Sequence, residues 1–208
     1  MSLADRLKLG THALHREVER SGMMPAFLRG TISRERYCLL LRNLHAIYSS
    51  LEAALTEHRQ SPSIEAIHSP ALARSAALAA DLDHLHGSGW QTALPLTTPA
   101  RRYAAHLQAL AAEAPSKLVA HAYVRYLGDL NGGQILRRIA RAALRLPESG
   151  DGTRFHEFAA PGVDALAAAF RAGLDHIVLP EAELDAIVHE AQCSFRLHAE
   201  LFEALAAA

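Results

Sequence analysis

Two short stretches of this 208-residue chain carry residue types at spacings suited to chemistry. In the first, Lys8-Leu-Gly-Thr-His12-Ala-Leu-His15-Arg-Glu-Val-Glu19, the residues His15 and Glu19 stand four apart. On a helix that spacing puts them on one face. An imidazole that binds a metal through one nitrogen needs an acceptor for its other N–H, and a carboxylate meets that need directly or through water. The same pair can equally be a solvated ion pair. With thirteen histidines in the chain, residue type alone singles out none of them. Lys8 lies two turns before His15, about 10 Å along a helix axis and close to the same face.

The second stretch is Tyr126-Leu-Gly-Asp-Leu-Asn-Gly-Gly-Gln-Ile-Leu136. Helical periodicity runs through Leu118, Ala122 and Leu127, then resumes at Ile135, Leu136 and Ile139. Between them sit Gly128, Gly132 and Gly133, with no proline and no loop-like composition. Each glycine inside a helix costs about 1 kcal/mol relative to alanine, so the three together cost about 3 kcal/mol that a packing or ligand contact should offset. Their spacing places them near one face. A helix bare on one face can lie flat against something large and planar, and it can also kink. Asp129 and Asn131 flank the bare surface and can bond waters or freed backbone groups. An ordinary break between helices, or close helix–helix packing, would use the same residues.

The elements that must position these groups read as helices almost throughout, because alanine and leucine dominate and β-branched residues are sparse. Ser2 and Asp5 open the first helix, whose apolar stripe is Leu3, Leu7, Leu14 and Val18. Ser33 caps a long second helix with Tyr37, Leu40, Leu41, Leu44, Ile47, Tyr48, Leu51 and Leu55 at spacings of three and four. Ser69-Pro70 opens a helix to about His86, residues 87–95 read as loop, and Thr98-Pro99 opens a helix ending near Pro115. A long helical run extends from Ser116 to about Leu144, followed by a polar loop over 146–156. The last helices span about 163–179 and 181–205, divided at Pro180. The pattern predicts an all-α chain, one domain over 1–208 with seven or eight helices.

Composition narrows the function classes. A formal net charge of −1 provides no general attraction to nucleic acid or an anionic membrane. The two cysteines, Cys38 and Cys193, each sit in apolar helical pattern, giving neither a disulfide framework nor zinc spacing. Met1-Ser-Leu-Ala-Asp-Arg lacks the apolar stretch of a signal peptide, and no run approaches membrane-span length, so a reducing, cytoplasmic location is expected.

The glycine stretch, with Ala120-His-Ala-Tyr-Val-Arg before it, resembles the distal-helix motif of the heme oxygenases almost residue for residue. The first helix resembles the family's proximal segment, with His15 at the matching position before a Phe-x-x-Gly turn, here Phe27-Leu-Arg-Gly30; His12 is the fallback ligand. The likeness covers essentially the whole chain, through Ile47–Glu52, Leu78–Leu82, Arg102–Leu107 and Phe195–Phe202. It implies a single-domain multi-helix bundle of the heme oxygenase type with a kinked glycine-rich distal helix. It also implies that heme is both substrate and cofactor. His15 would hold the iron with Glu19 behind it, and Gly128, Gly132 and Gly133 would lie against the porphyrin. Asp129 would anchor a water network reaching O2. Phe195, His198 and Phe202 would face the pocket, with Met24 along the macrocycle edge, and Lys8, Tyr123 and Arg171 would approach the propionates. One departure stands out. A second basic residue is common in the family four positions beyond Arg171, and here that position is Asp175, which cannot pair with a propionate. Either another cation, such as Arg125, substitutes, or heme sits differently in its plane, which leaves the attacked meso carbon open. The implied products are biliverdin, CO and ferrous iron, with electrons from an external reductase or ferredoxin, since no G-x-G-x-x-G fingerprint is present.

Three other readings compete. A ferritin-like di-iron protein needs paired Glu-x-x-His motifs, and only Glu65-Ala-Ile-His68 has that spacing, directly before Ser69-Pro70. A cofactor-free relative resembling thiaminase II would leave the glycines unexplained. A heme carrier or sensor could keep His15 and the glycines without turnover, but it has no use for Asp129.

Overall fold

The computed structural model describes residues 1–147 and 151–207. Among the described residues all regular structure is helical. The helices are α1 (Leu3–Val18), α2 (Met24–Leu28), α3 (Arg34–Glu57), α4 (Pro62–Glu65), α5 (Ser75–Leu85), α6 (Trp90–Ala93), α7 (Thr98–Glu113), α8 (Leu118–Ala122), α9 (Gly128–Leu144), α10 (Val163–Asp175) and α11 (Glu181–Ala207). The expected caps are in place: the Ser2 hydroxyl accepts from Asp5 N at 3.2 Å and the Ser33 hydroxyl from Arg36 N at 3.3 Å, satisfying donors that a helix start leaves without partners. Of the loop expected over 146–156, residues 148–150 lie outside the described residues.

Long α3 packs against both α5 and α7, while α1 runs along α11. The α3 stripe read from the sequence is the centre of the core, with Tyr37, Leu41, Ile47, Tyr48 and Leu51 fully buried. The corner between α1 and α2 is pinned to α11 at Gly22, whose φ is +49° and whose added Cβ would lie 2.1 Å from the Phe202 backbone. Only glycine fits there. Gly22 N donates to Glu203 Oε1 at 2.7 Å and Met23 N to the Phe202 carbonyl at 3.2 Å, which seats Met24 beside Phe202.

Several local expectations shift. The described residues form eleven α-helices rather than seven or eight, because short single-turn pieces such as α2, α4 and α6 stand apart, and α10 ends at Asp175 rather than near 179. The helix expected from Pro70 to His86 is a 3-10 turn over Pro70–Leu72 and then α5. The break falls at Arg74, where Glu52 of α3 accepts from Arg74 N at 2.5 Å and Ser75 N at 3.2 Å. A carboxylate from another helix thus starts α5 anew. Within the loop expected over 87–95, Trp90–Ala93 form one helical turn that buries the Trp90 ring, with its N–H donating to Asp83 Oδ1 at 2.8 Å. The distal helix does not break at its glycines. Its irregularity is a π-helical turn at Tyr123–Leu127, and Gly128–Leu144 is regular α-helix. Inserting one residue into the α ladder re-aims the side chains around it, and it is here that Arg125 turns inward.

Candidate functional site

A slot with about 1100 Å³ of empty space, its mouth included, opens between α1, α2, α3, the Tyr123–Leu144 run and α11. His15 and Glu19 come to it from the end of α1, Met24 from α2, Gly128, Asp129 and Gly132 from α9, and Phe195, His198 and Phe202 from α11. The side chains of His15 and Glu19 are each 54% exposed, and His15 Nδ1 lies 3.7 Å from Glu19 Oε1. The His15 ring meets Phe195 edge-on at 5.8 Å. His12 is exposed and is not part of the slot wall.

The glycine surface divides. Nothing lies within 4 Å of a Cβ added at Gly128 or Gly132, so both leave main chain open to the slot. Gly133 does not line it. A Cβ there would approach His156 Nδ1 at 3.4 Å, because one further residue rotates the position about 100° off the bare face. The role expected for Gly133 against a ligand therefore passes to the packing of a neighbouring segment.

Behind the bare face lies a buried polar network. Tyr48 Oη donates to Asp129 Oδ2, and Arg125 Nε donates to Tyr48 Oη at 3.0 Å. Arg125 also reaches Asp129 Oδ1 at 3.5 Å and donates to His198 Nε2. Accepting from a guanidinium requires His198 to be neutral, and burial, followed by the Arg125 charge, holds its pKa well below the usual histidine range. Burial pushes the Asp129 carboxyl up to about 6, against the pull of Arg125 and the Tyr48 hydrogen bond. Arg125 lines the slot and is held there by Tyr48, Asp129 and His198. Asp175 accepts from Ala4 N at 3.2 Å, so its carboxylate caps the start of α1.

Lys8 and Arg171 are exposed, Tyr123 is half-buried, and none of the three lines the slot. Arg171 donates to Asn131 Oδ1 at 3.0 Å, tying α10 to α9. Two residues, one behind the slot and one lining it, carried no signal of function in the sequence. Tyr48 sits in the apolar stripe of α3 and reads as core. His156 lies in the expected loop, is buried, and finds no hydrogen-bond partner for either ring nitrogen. Burial, then Arg137, holds its pKa down to about 3. Its segment is positioned by the buried Asp81, whose two oxygens accept from Arg154 N and Phe155 N at 2.8 Å each.

An imidazole, apolar walls and a strip of naked helix backbone make this an all-helical protein built around one broad, flat, mostly apolar ligand. The family model described as heme oxygenase matches residues 1–204. Heme oxygenase 2 of Synechocystis sp. is 42% identical, over 98% of this chain and 83% of that one. The crystal structure of heme oxygenase-2 from Synechocystis sp. in complex with heme and NO matches with a TM-score of 0.94 at 41% identity, over 99% of this chain and 85% of that chain. The heme oxygenase of Leptospira interrogans matches with a TM-score of 0.94 at 32% identity, covering 98% of this chain and 99% of that one. The chain belongs to the heme oxygenase family, and it is an oxidoreductase of heme degradation. The slot fits heme: space stands free over Gly128 and Gly132, and the half-exposed His15 imidazole lines it.

Proposed function

We propose that this slot cleaves heme to biliverdin, CO and ferrous iron in an O2- and electron-dependent reaction, with heme as both substrate and cofactor. The observation that supports this reading is the half-exposed His15 imidazole sharing one slot with the main chain bared at Gly128 and Gly132. When bound, heme supplies the iron that activates O2 and the meso carbon that is oxidised. His15 is the residue we assign to hold the iron, with Glu19 orienting the ring from behind. Gly128 and Gly132 would let helix backbone approach the bound ring, and the bulk of that backbone would limit the space beside it. Asp129, fixed by Tyr48 and Arg125, holds water for proton delivery without itself touching the reacting atoms. Met24, Phe195 and Phe202 grip the macrocycle and exclude bulk water. His198 positions Arg125. Lys8, Tyr123 and Arg171 are the groups we assign to the propionates, which must reach the protein's edge to stay solvated. Electrons come from a separate reductase or ferredoxin. No described helix is long and apolar enough to cross a membrane, and the free thiols Cys38 and Cys193 suit the reducing cytoplasm in which we place the protein.

Turnover with ascorbate in air tests the reading. Loss of the Soret band with biliverdin as the product is expected. A heme complex that stays spectrally unchanged would make the protein a carrier or sensor.

The bare backbone has its own test. Gly132→Ala adds a methyl where no atom lies within 4 Å, and alanine is the better helix former by about 1 kcal/mol. The heme-free variant should therefore melt about 2–4 °C higher. Its heme affinity should fall about 10-fold, because the methyl occupies ligand space at a cost of about 1–3 kcal/mol. Thermal melts and heme titrations on the same samples check both signs. A variant that gains stability and keeps its affinity would show that the main chain there does not meet the ring.

A further inference from the structure

Away from the slot, side chains from three helices converge. His106 of α7, His121 of α8 and Glu190 of α11 each offer a ligand atom, and these atoms lie within 4.8 Å of one another. His106 Nε2 is 2.6 Å and His121 Nε2 3.1 Å from the same oxygen, Glu190 Oε1. The other oxygen, Oε2, has Lys117 Nζ at 3.9 Å. His121 is fully buried and Glu190 nearly so, while the His106 side chain is 31% exposed and opens the cluster to solvent. None of the three lines the heme slot.

The geometry points to a second metal centre, a zinc-type site with His106, His121 and Glu190 as ligands and its fourth position open toward solvent. Two imidazoles and one carboxylate are a recurrent three-ligand zinc set, and the fourth place is then taken by water. Metal–ligand bonds of about 2.0–2.2 Å ask only that the two Nε2 atoms separate slightly from Oε1 around an ion between them. The outer contacts are also those that a ligating histidine needs. His121 Nδ1 is 3.0 Å from Tyr103 Oη, which is 2.6 Å from Ser194 Oγ. With an ion on Nε2, His121 carries its proton on Nδ1 and donates to Tyr103, which donates to Ser194. Without one, the proton sits on Nε2 facing Glu190 and the Tyr103 hydroxyl turns to donate to Nδ1. The two hydroxyls serve both states without leaving a buried group unsatisfied.

The protonation states agree. Burial lowers the His121 pKa, so the neutral ring that a metal requires is the resident form. Burial works against the Glu190 carboxylate, but hydrogen bonds from His121 and His106 outweigh it and hold the group near 2, so it is ionised at neutral pH. Lys117 is the neighbouring cation that an ion must displace from Oε2.

The full chain, stripped with chelator and prepared both with and without heme, should be titrated with Co2+ as the optical probe and then competed with Zn2+. One saturable equivalent with the visible bands of low-coordinate, histidine-ligated Co2+ is expected in both preparations, displaced by Zn2+. His106→Ala, a change near the surface, should weaken binding at least 10-fold. Tyr103→Phe should weaken it about 10- to 100-fold through the outer contact alone. His15→Ala should leave it unchanged. The proposal is overturned by an absent Co2+ signal, by affinity indifferent to His106→Ala, or by binding lost in His15→Ala or on loading heme.

Discussion

Replacing Asp129 with asparagine should leave heme bound and lower biliverdin formation by about 100-fold or more, the scale set by positioned proton-transfer groups. Asp129 is 7% exposed and lies between the Tyr48 hydroxyl and the Arg125 guanidinium. Asparagine keeps the shape and an acceptor for Tyr48 but loses the charge that balances Arg125. It is preferable to alanine as a first test, because both changes remove the charge beside Arg125 but alanine would also open a cavity and leave the buried Tyr48 hydroxyl without its acceptor. An unchanged heme spectrum together with undiminished turnover would remove Asp129 from the reaction. The pH profile is a second readout. Burial raises the carboxyl from 3.8 to about 6, so the ionised form dominates above about 6 and is lost as pH falls through that value. The parent protein should show an acid limb there that vanishes from the residual activity of Asp129→Asn. The same shift means that the folded state binds this proton more tightly than the unfolded chain does. On its own, therefore, the group contributes stability at low pH that is lost as pH rises from about 4 to 6.

His15→Ala should abolish the histidine-coordinated heme spectrum and all ring opening. Apolar contacts with Met24, Phe195 and Phe202 would still hold some heme, since those walls do not depend on the imidazole. Added imidazole should restore the ligated spectrum, because the half-exposed position leaves room for a small ligand to enter. Paired measurement on His12→Ala is the control: His12 is exposed outside the slot, and its loss should change neither spectrum nor turnover. A histidine-type spectrum that persists in His15→Ala and disappears in His12→Ala would reverse the assignment.

How much of this was legible in the residues follows from the range over which each signal acts. Helix content, caps and the inward faces are local properties, so Ser2, Ser33 and the α3 stripe read correctly, and His15, Glu19, Gly128, Asp129, Gly132, Phe195, His198 and Phe202 all come to one slot. The π turn at 123–127 was not legible, because its local composition is ordinary helix and the register change is settled by what Arg125 finds inside. Tyr48 hid in an apolar stripe, since a phenol that packs and a phenol that bonds occupy the same helical position. Its acceptor is 81 residues away.

By itself the sequence determined that this chain is helical, which edge of each helix faces inward, and where main chain is stripped bare, because those depend on contacts between residues a few positions apart. The tertiary structure alone decided which buried polar groups meet. It set Arg125 at the centre of the Asp129 network, made Asp175 a helix cap, aimed Gly133 at His156, and gathered His106, His121 and Glu190 from three helices. Hydrogen bonds form or fail over fractions of an ångström, and the offsets of packed helices that set those distances are not written in any local spacing.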